Sequence, residues 1–564
     1  MTFSSLVDRL DDWINPIVVK EVRQAVKSRL VVSVLMVFLV LMLLVMGVAL
    51  SFQQASNQFG DSARGMGRNV FMSLQMLLLP TIMLVIPVYA AIRMGAERSE
   101  TNADLLFIST LSPGSIISGK FVAAMAFAML IFSIFAPFMT FTYLLRGIDI
   151  PTIAFILWID VLAMVVAILF ALFLASIPGP MPLRVFAISG GFVFIFICFC
   201  YWFGISTMLI QFPRELVTDS ELLWTSVAIT TILIALVSAM IYFYAVALIS
   251  PPSSNRIRPI RVTLLVFWLV TGLTLFGWAL SGVGLPPSAD AAEIPVGLWV
   301  SFNMMLLCVQ FLLSTCERDT WGPRLARTIP RFAPFRLVAF FFYTGAAGGV
   351  LLTLILMAAT LALGFFARIT IAEHAGGLKD FTPLDYCLVN FAAIAAYTVC
   401  YGLSGALIRY YFLRETIRNA YTWVITACLL GIGSIVPWMF SIILLFDHAG
   451  QQPVSWWLVA NPFAALFELS MMGMPWRGGN TDFIGVMWIF LGAWGVLLIV
   501  PTLWWILAQA RRFVPYVRKY EPKSEPIRAL PAEPVALSAV PVDQAAVQEQ
   551  RFPPGADPSA VTPG

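Results

Sequence analysis

The chain has 564 residues, 60% hydrophobic and only 11% charged, with a formal net charge of +4. A soluble domain carries about 25% charged residues, so too few charges are present to cover a water-facing globule, and lipid is the expected solvent. No basic block suggests a nucleic-acid partner, and the seven cysteines fall in apolar runs rather than in a disulfide framework.

A membrane-crossing helix needs about 20 largely apolar residues, because unpaired backbone groups are costly in hydrocarbon. That ruler predicts spans at 30–51, 70–92, 121–145, 153–177, 185–210 and 223–249, then at 262–281, 295–315, 337–365, 385–408, 420–446 and 483–509. The fold class expected is all-α: a polytopic membrane protein of about twelve transmembrane helices. Its organisation divides into an N-terminal segment 1–29, a first six-helix half 30–250, a second half 251–509 and a Pro-rich tail 510–564. If the N-terminus is cytoplasmic, roughly 27 of the 34 Lys and Arg fall on inside segments. Both termini are therefore expected in the cytoplasm, and the first apolar run reads as an uncleaved anchor.

Before the first span, Asn15 is placed to cap a helix and Pro16 to occupy its first position. Val18, Val22, Ala25 and Arg29 then share one face, with Lys20, Arg23 and Lys27 on another. The loop between spans two and three reads as a short amphipathic helix to about Ser109. It is followed by a break where Ser112 caps and Pro113 starts the next helix.

These two segments resemble a known family. Asn15-Pro16, Lys20-Glu21, Arg23 and Arg29 look like the N-terminal interface helix of type-2 ABC exporter permeases. Glu97-Arg98, Thr101, Leu105-Leu106, Ser112-Pro113 and Gly119-Lys120 look like their cytoplasmic coupling segment, with Glu100 standing where that family usually has Gly. The resemblance covers about residues 12–250. It implies a transport subunit, not an enzyme, in a bacterial inner membrane, driven by a separate cytoplasmic ABC ATPase docked on both segments. ATP and magnesium would then belong to that partner, with no cofactor on this chain.

Gly114 to Lys120 has the G-x-x-x-x-G-K spacing of a phosphate-binding loop, but Phe121 stands where Ser or Thr must hold magnesium. A nucleotide site is not expected there. In the second half, Glu317-Arg318 repeats Glu97-Arg98 in the corresponding loop, marking a second coupling loop if the halves are repeats. A true repeat implies a pseudo-dimeric pore in one chain; an unrelated extension implies a homodimer through the first half. Trp456 to Glu468 reads as an external helix on or dipping into the outer leaflet.

Asp160 lies mid-span, where a charge is functional by default: it lines a pathway, relays a proton, gates, or pairs with a polar group such as Asn303 or Gln310 in span eight. Gly190-Gly191, Gly345 and Gly348-Gly349 suggest close helix packing. His374 and His448 fall in different outside loops, so no metal site is expected. An ATPase-independent secondary transporter is the main alternative; a membrane-bound transferase is disfavoured for lack of an outside domain or acidic cluster.

Overall fold

The computed structural model describes residues 16–57, 66–97, 112–145, 148–177, 181–211, 220–251, 253–281, 289–374, 382–414, 419–447, 456–471 and 481–515. Helices make up nearly all of these, and twelve are long and apolar enough to cross a membrane. The spans run Arg29–Phe52, Gly67–Gly95, Pro113–Leu144, Ile150–Ala175, Ala187–Ile210 and Val227–Ile249, then Arg258–Gly277, Glu293–Thr315, Ala346–Ile371, Pro383–Phe412, Thr422–Ile442 and Asp482–Arg512. The protein is an all-α, multi-pass membrane protein. Large apolar side chains such as Met36, Phe52, Tyr201, Ile489 and Val500 point outward, as expected where lipid replaces water.

The packing order of the first six spans recurs in the last six. Span two lies against four and five, four against five and six, and three against four and six; likewise eight lies against ten and eleven, ten against eleven and twelve, and nine against ten and twelve. The two sets meet along spans six and seven, where Tyr244 of span six also hydrogen-bonds Gln310 of span eight.

Local chemistry sets several helix starts. Span three begins at Pro113, with the Ser112 hydroxyl accepting the Ser115 N–H at 3.2 Å. Span ten begins at Pro383, with the Asp385 carboxylate accepting the Thr382 N–H and O–H at 2.9 and 3.0 Å. Both use a capping residue followed by proline, whose missing N–H has no partner to lose at a helix start. In span two, Pro80 is followed by a π-turn at Thr81–Val85, where the Ile86 N–H bonds the Thr81 carbonyl. The wider turn absorbs the defect that an internal proline creates.

Span nine departs from the hydropathy reading. The apolar run expected at 337–365 is broken: a helix covers Ala333–Phe342, and span nine starts afresh at Ala346. The buried Arg261 guanidinium takes the carbonyls of Phe341, Tyr343 and Gly345 at 2.7–2.8 Å. Glu317 accepts the Gly345 N–H at 2.9 Å, and Asn255 accepts that of Thr344 at 3.0 Å. These backbone groups freed by the break thus have polar partners, which is what a break near hydrocarbon requires. Glycine is demanded beside it, since a Cβ on Gly348 would lie 2.2 Å from the Phe340 carbonyl oxygen. Gly190, read as a packing glycine, instead faces open space.

The Trp-rich segment dips inward. Its turn Trp456–Ala460 and helix Pro462–Met471 are held by Tyr397 and Tyr401, whose hydroxyls donate to the Val459 and Ala460 carbonyls at 2.5 and 2.7 Å. Those tyrosines stand about halfway along span ten, so the turn lies level with the middle of the helix.

Candidate functional site

The N-terminal helix is Pro16–Lys27, followed directly by the first membrane helix from Arg29. Its outer side presents Lys20, Arg23, Gln24 and Lys27 to solvent, while Val18 and Val22 are half-buried. This is the amphipathic division expected from the sequence. Arg29 is exposed and lies beyond the helix, at the start of span one.

Glu21 turns the other way and is buried. Its carboxylate meets Lys120 Nζ of span three at 3.1 Å and Arg93 Nη2 at the end of span two at 3.1 Å. Arg93 also donates to Gln24. The Lys120 side chain is only 3% exposed, so the Glu21 carboxylate offsets part of the cost of burying its charge. The triad thus fastens the N-terminal helix to two membrane helices at once. Above it, Tyr242 of span six donates to the Gly114 carbonyl at 3.1 Å, tying the start of span three to a third element.

Glu21 and Lys120, both expected to take part in coupling, are buried and face each other, whereas Lys20 and Arg23 are exposed. Gly119 is buried, and Ser112 and Pro113 form the start of span three. Gly114 to Lys120 is regular helix, whereas a phosphate loop needs an open turn. Glu97 ends the helix of span two. Asn15, Arg98, Thr101, Leu105 and Leu106, with the amphipathic helix expected as far as Ser109, lie outside the described residues, as do His448 and the tail beyond residue 515.

The matching place in the second half is built differently. Glu317 is buried against Arg261 at 2.6 Å; burial pushes its carboxyl up, and Arg261 beside it pulls it back. Arg318 is exposed. Next to it, buried Asp319 binds Arg409 at 2.5 Å, Asn419 at 3.0 Å and Gln509 at 2.5 Å. Gln509 in turn accepts the Ala347 N–H at 3.1 Å. One carboxylate thereby ties together spans nine, ten and twelve and the turn before eleven. At the opposite ends of spans eight, nine and ten, Arg368 pairs with Asp385 at 3.0 Å and with Glu293 at 3.9 Å. Sequence reasoning missed Arg261, Asp319, Arg409 and Gln509; the available signal was polar side chains at the very ends of apolar runs.

Asp160 is fully buried in the middle of span four. It does not pair with span eight. Gln75 of span two donates its amide to Asp160 Oδ2, while Asn303 is bonded to Thr271 and the Trp299 carbonyl, and Gln310 to Tyr244 and Ser314. Span eight is engaged with its own neighbours and leaves no free partner for span four. In comparisons with known proteins, no family model, curated protein or solved structure matches this chain.

Proposed function

We propose that this chain is the membrane-spanning permease subunit of an ABC exporter, powered by a separate cytoplasmic ATPase. Twelve apolar helices suit a membrane transporter or permease in general. The observation that carries the finer reading is the N-terminal helix: a polar outer side bearing Lys20 and Arg23, and a charged underside fastened through Glu21 to spans two and three. A push on such a helix passes directly into the bundle. In this reading both termini are cytoplasmic, the membrane is the bacterial inner membrane, and the loop after Glu97 completes the dock. ATP and magnesium sit on the partner.

The test is to purify the full chain together with an ATPase carrying a nucleotide-binding loop and to measure ATP hydrolysis. Stable association, with hydrolysis altered several-fold by the permease and less so by a Lys20→Glu/Arg23→Glu variant, supports the reading; indifference of every such ATPase overturns it. One copy per complex would fit a pseudo-dimer, and two copies a homodimer. The second reading, an ATPase-independent transporter, is favoured by the mid-span Asp160 and would show substrate movement without nucleotide.

A further inference from the structure

The setting of Asp160 does not balance as an ionised carboxylate. Gln75 Nε2 donates to Oδ2, and Oδ1 of Asp160 and Oε1 of Gln75 remain buried without a hydrogen-bond partner. Both orphans are acceptors. The Trp202 indole of span five, within reach of the carboxyl, has an unpartnered N–H of its own. If Oδ1 takes that N–H, Gln75 Oε1 still lacks a donor. Turning the amide over does not help, because its oxygen would then face Oδ2 instead. A proton on the carboxyl supplies the missing donor in either arrangement: carboxylic acid and primary amide match each other with one donor and one acceptor apiece.

Charge leads to the same conclusion. Asp160 has no ion pair among the described residues, and charged groups of the neighbouring spans stand near helix ends: Arg68 and Arg93 on span two, Lys120 on span three and Arg184 on span five. Lys120 and Arg93 are committed to Glu21, and Arg68 is seven residues, about 10 Å, from Gln75 along the helix. An unpaired carboxylate at this depth would cost several kcal/mol, which a bound proton removes. The π-turn Thr81–Val85 begins six residues beyond Gln75 and packs on both spans four and five. Such turns are frequent where helices carry function.

We propose that Asp160 and Gln75 form a buried proton-binding site that latches span two to span four and gives up its proton when the two part. Separation would remove the amide and admit water, and an exposed aspartic acid ionises far below neutral pH, at about 3.9. The site is independent of what drives the protein, since its test concerns protonation alone.

The experiment is infrared spectroscopy of the full chain in lipid nanodiscs at neutral pH, where exposed carboxyls are ionised. Wild-type protein should show the carbonyl band of a protonated carboxyl, which Asp160→Asn should abolish. Gln75→Leu should shift its frequency by removing the amide hydrogen bond. Absence of the band from the wild type overturns the proposal without recourse to any variant. A band unaffected by Asp160→Asn assigns the proton elsewhere, and one unmoved by Gln75→Leu removes the pairing; either also overturns it.

Discussion

The two halves share a packing order but place their buried charges differently. In the second half the buried ion pairs stand at span ends: Arg261 with Glu317 and Arg409 with Asp319 at one face, Arg368 with Asp385 and Glu293 at the other. Among the described residues of the first half one triad, Glu21 with Arg93 and Lys120, fastens a surface helix to the bundle, and the Asp160 carboxyl sits mid-span. Pinning both ends of spans eight to ten restrains them against sliding. Joining spans two and four through a neutral acid–amide contact leaves them freer to move. The difference suggests a division of labour, with the second half as scaffold and the first as the part that responds.

The strongest way to break that comparison is at the pins. Arg409→Ala should cost about 3–5 kcal/mol by leaving buried Asp319 without its cation, read as loss of monodisperse protein or a large fall in melting temperature. Gly348→Ala drives a Cβ against the Phe340 carbonyl and should cost about 1–3 kcal/mol through overpacking. Gly190→Ala, on an open helical face of the first half, should instead be neutral or stabilising by up to about 1 kcal/mol. If the two glycine variants behave alike, the difference in tightness between these sites is wrong.

Glu21→Gln keeps the shape of the side chain but removes its charge, and should cost about 1.5–3 kcal/mol, the worth of hydrogen bonds to a charged group. The loss should appear in hydrogen exchange as faster opening of Pro16–Lys27, with span ten unchanged. The smallest effect is expected from Ser112→Ala, about 1 kcal/mol for a lost helix cap, confined to the first turns of span three.

The sequence made the twelve spans readable because hydrocarbon imposes one length and one composition on every crossing. It also made the start of span three and the two-faced N-terminal helix readable, since caps and a 3.6-residue period are local. The break before Ala346 was not readable: Phe340, Phe341 and Phe342 continue the apolar run, and the cause lies in Arg261 and Glu317, 84 and 28 residues from Gly345. The partner of Asp160 was missed for the same reason. Gln75 and Gln310 look alike in sequence, and only the packing of span two on span four distinguishes them. Glu21 and Lys120 enter the sequence reading as coupling residues only through the resemblance; their orientation, inward onto each other, depends on contacts that a single helix does not encode.

The proposal that the N-terminal helix docks a separate ATPase is tested most directly by placing a photo-crosslinking residue at Arg23 in intact membranes and identifying what it captures. The account predicts a cytoplasmic ATPase carrying a nucleotide-binding loop, with capture lost when the crosslinker stands at inward-facing Glu21. Capture of lipid alone at Arg23 would contradict it.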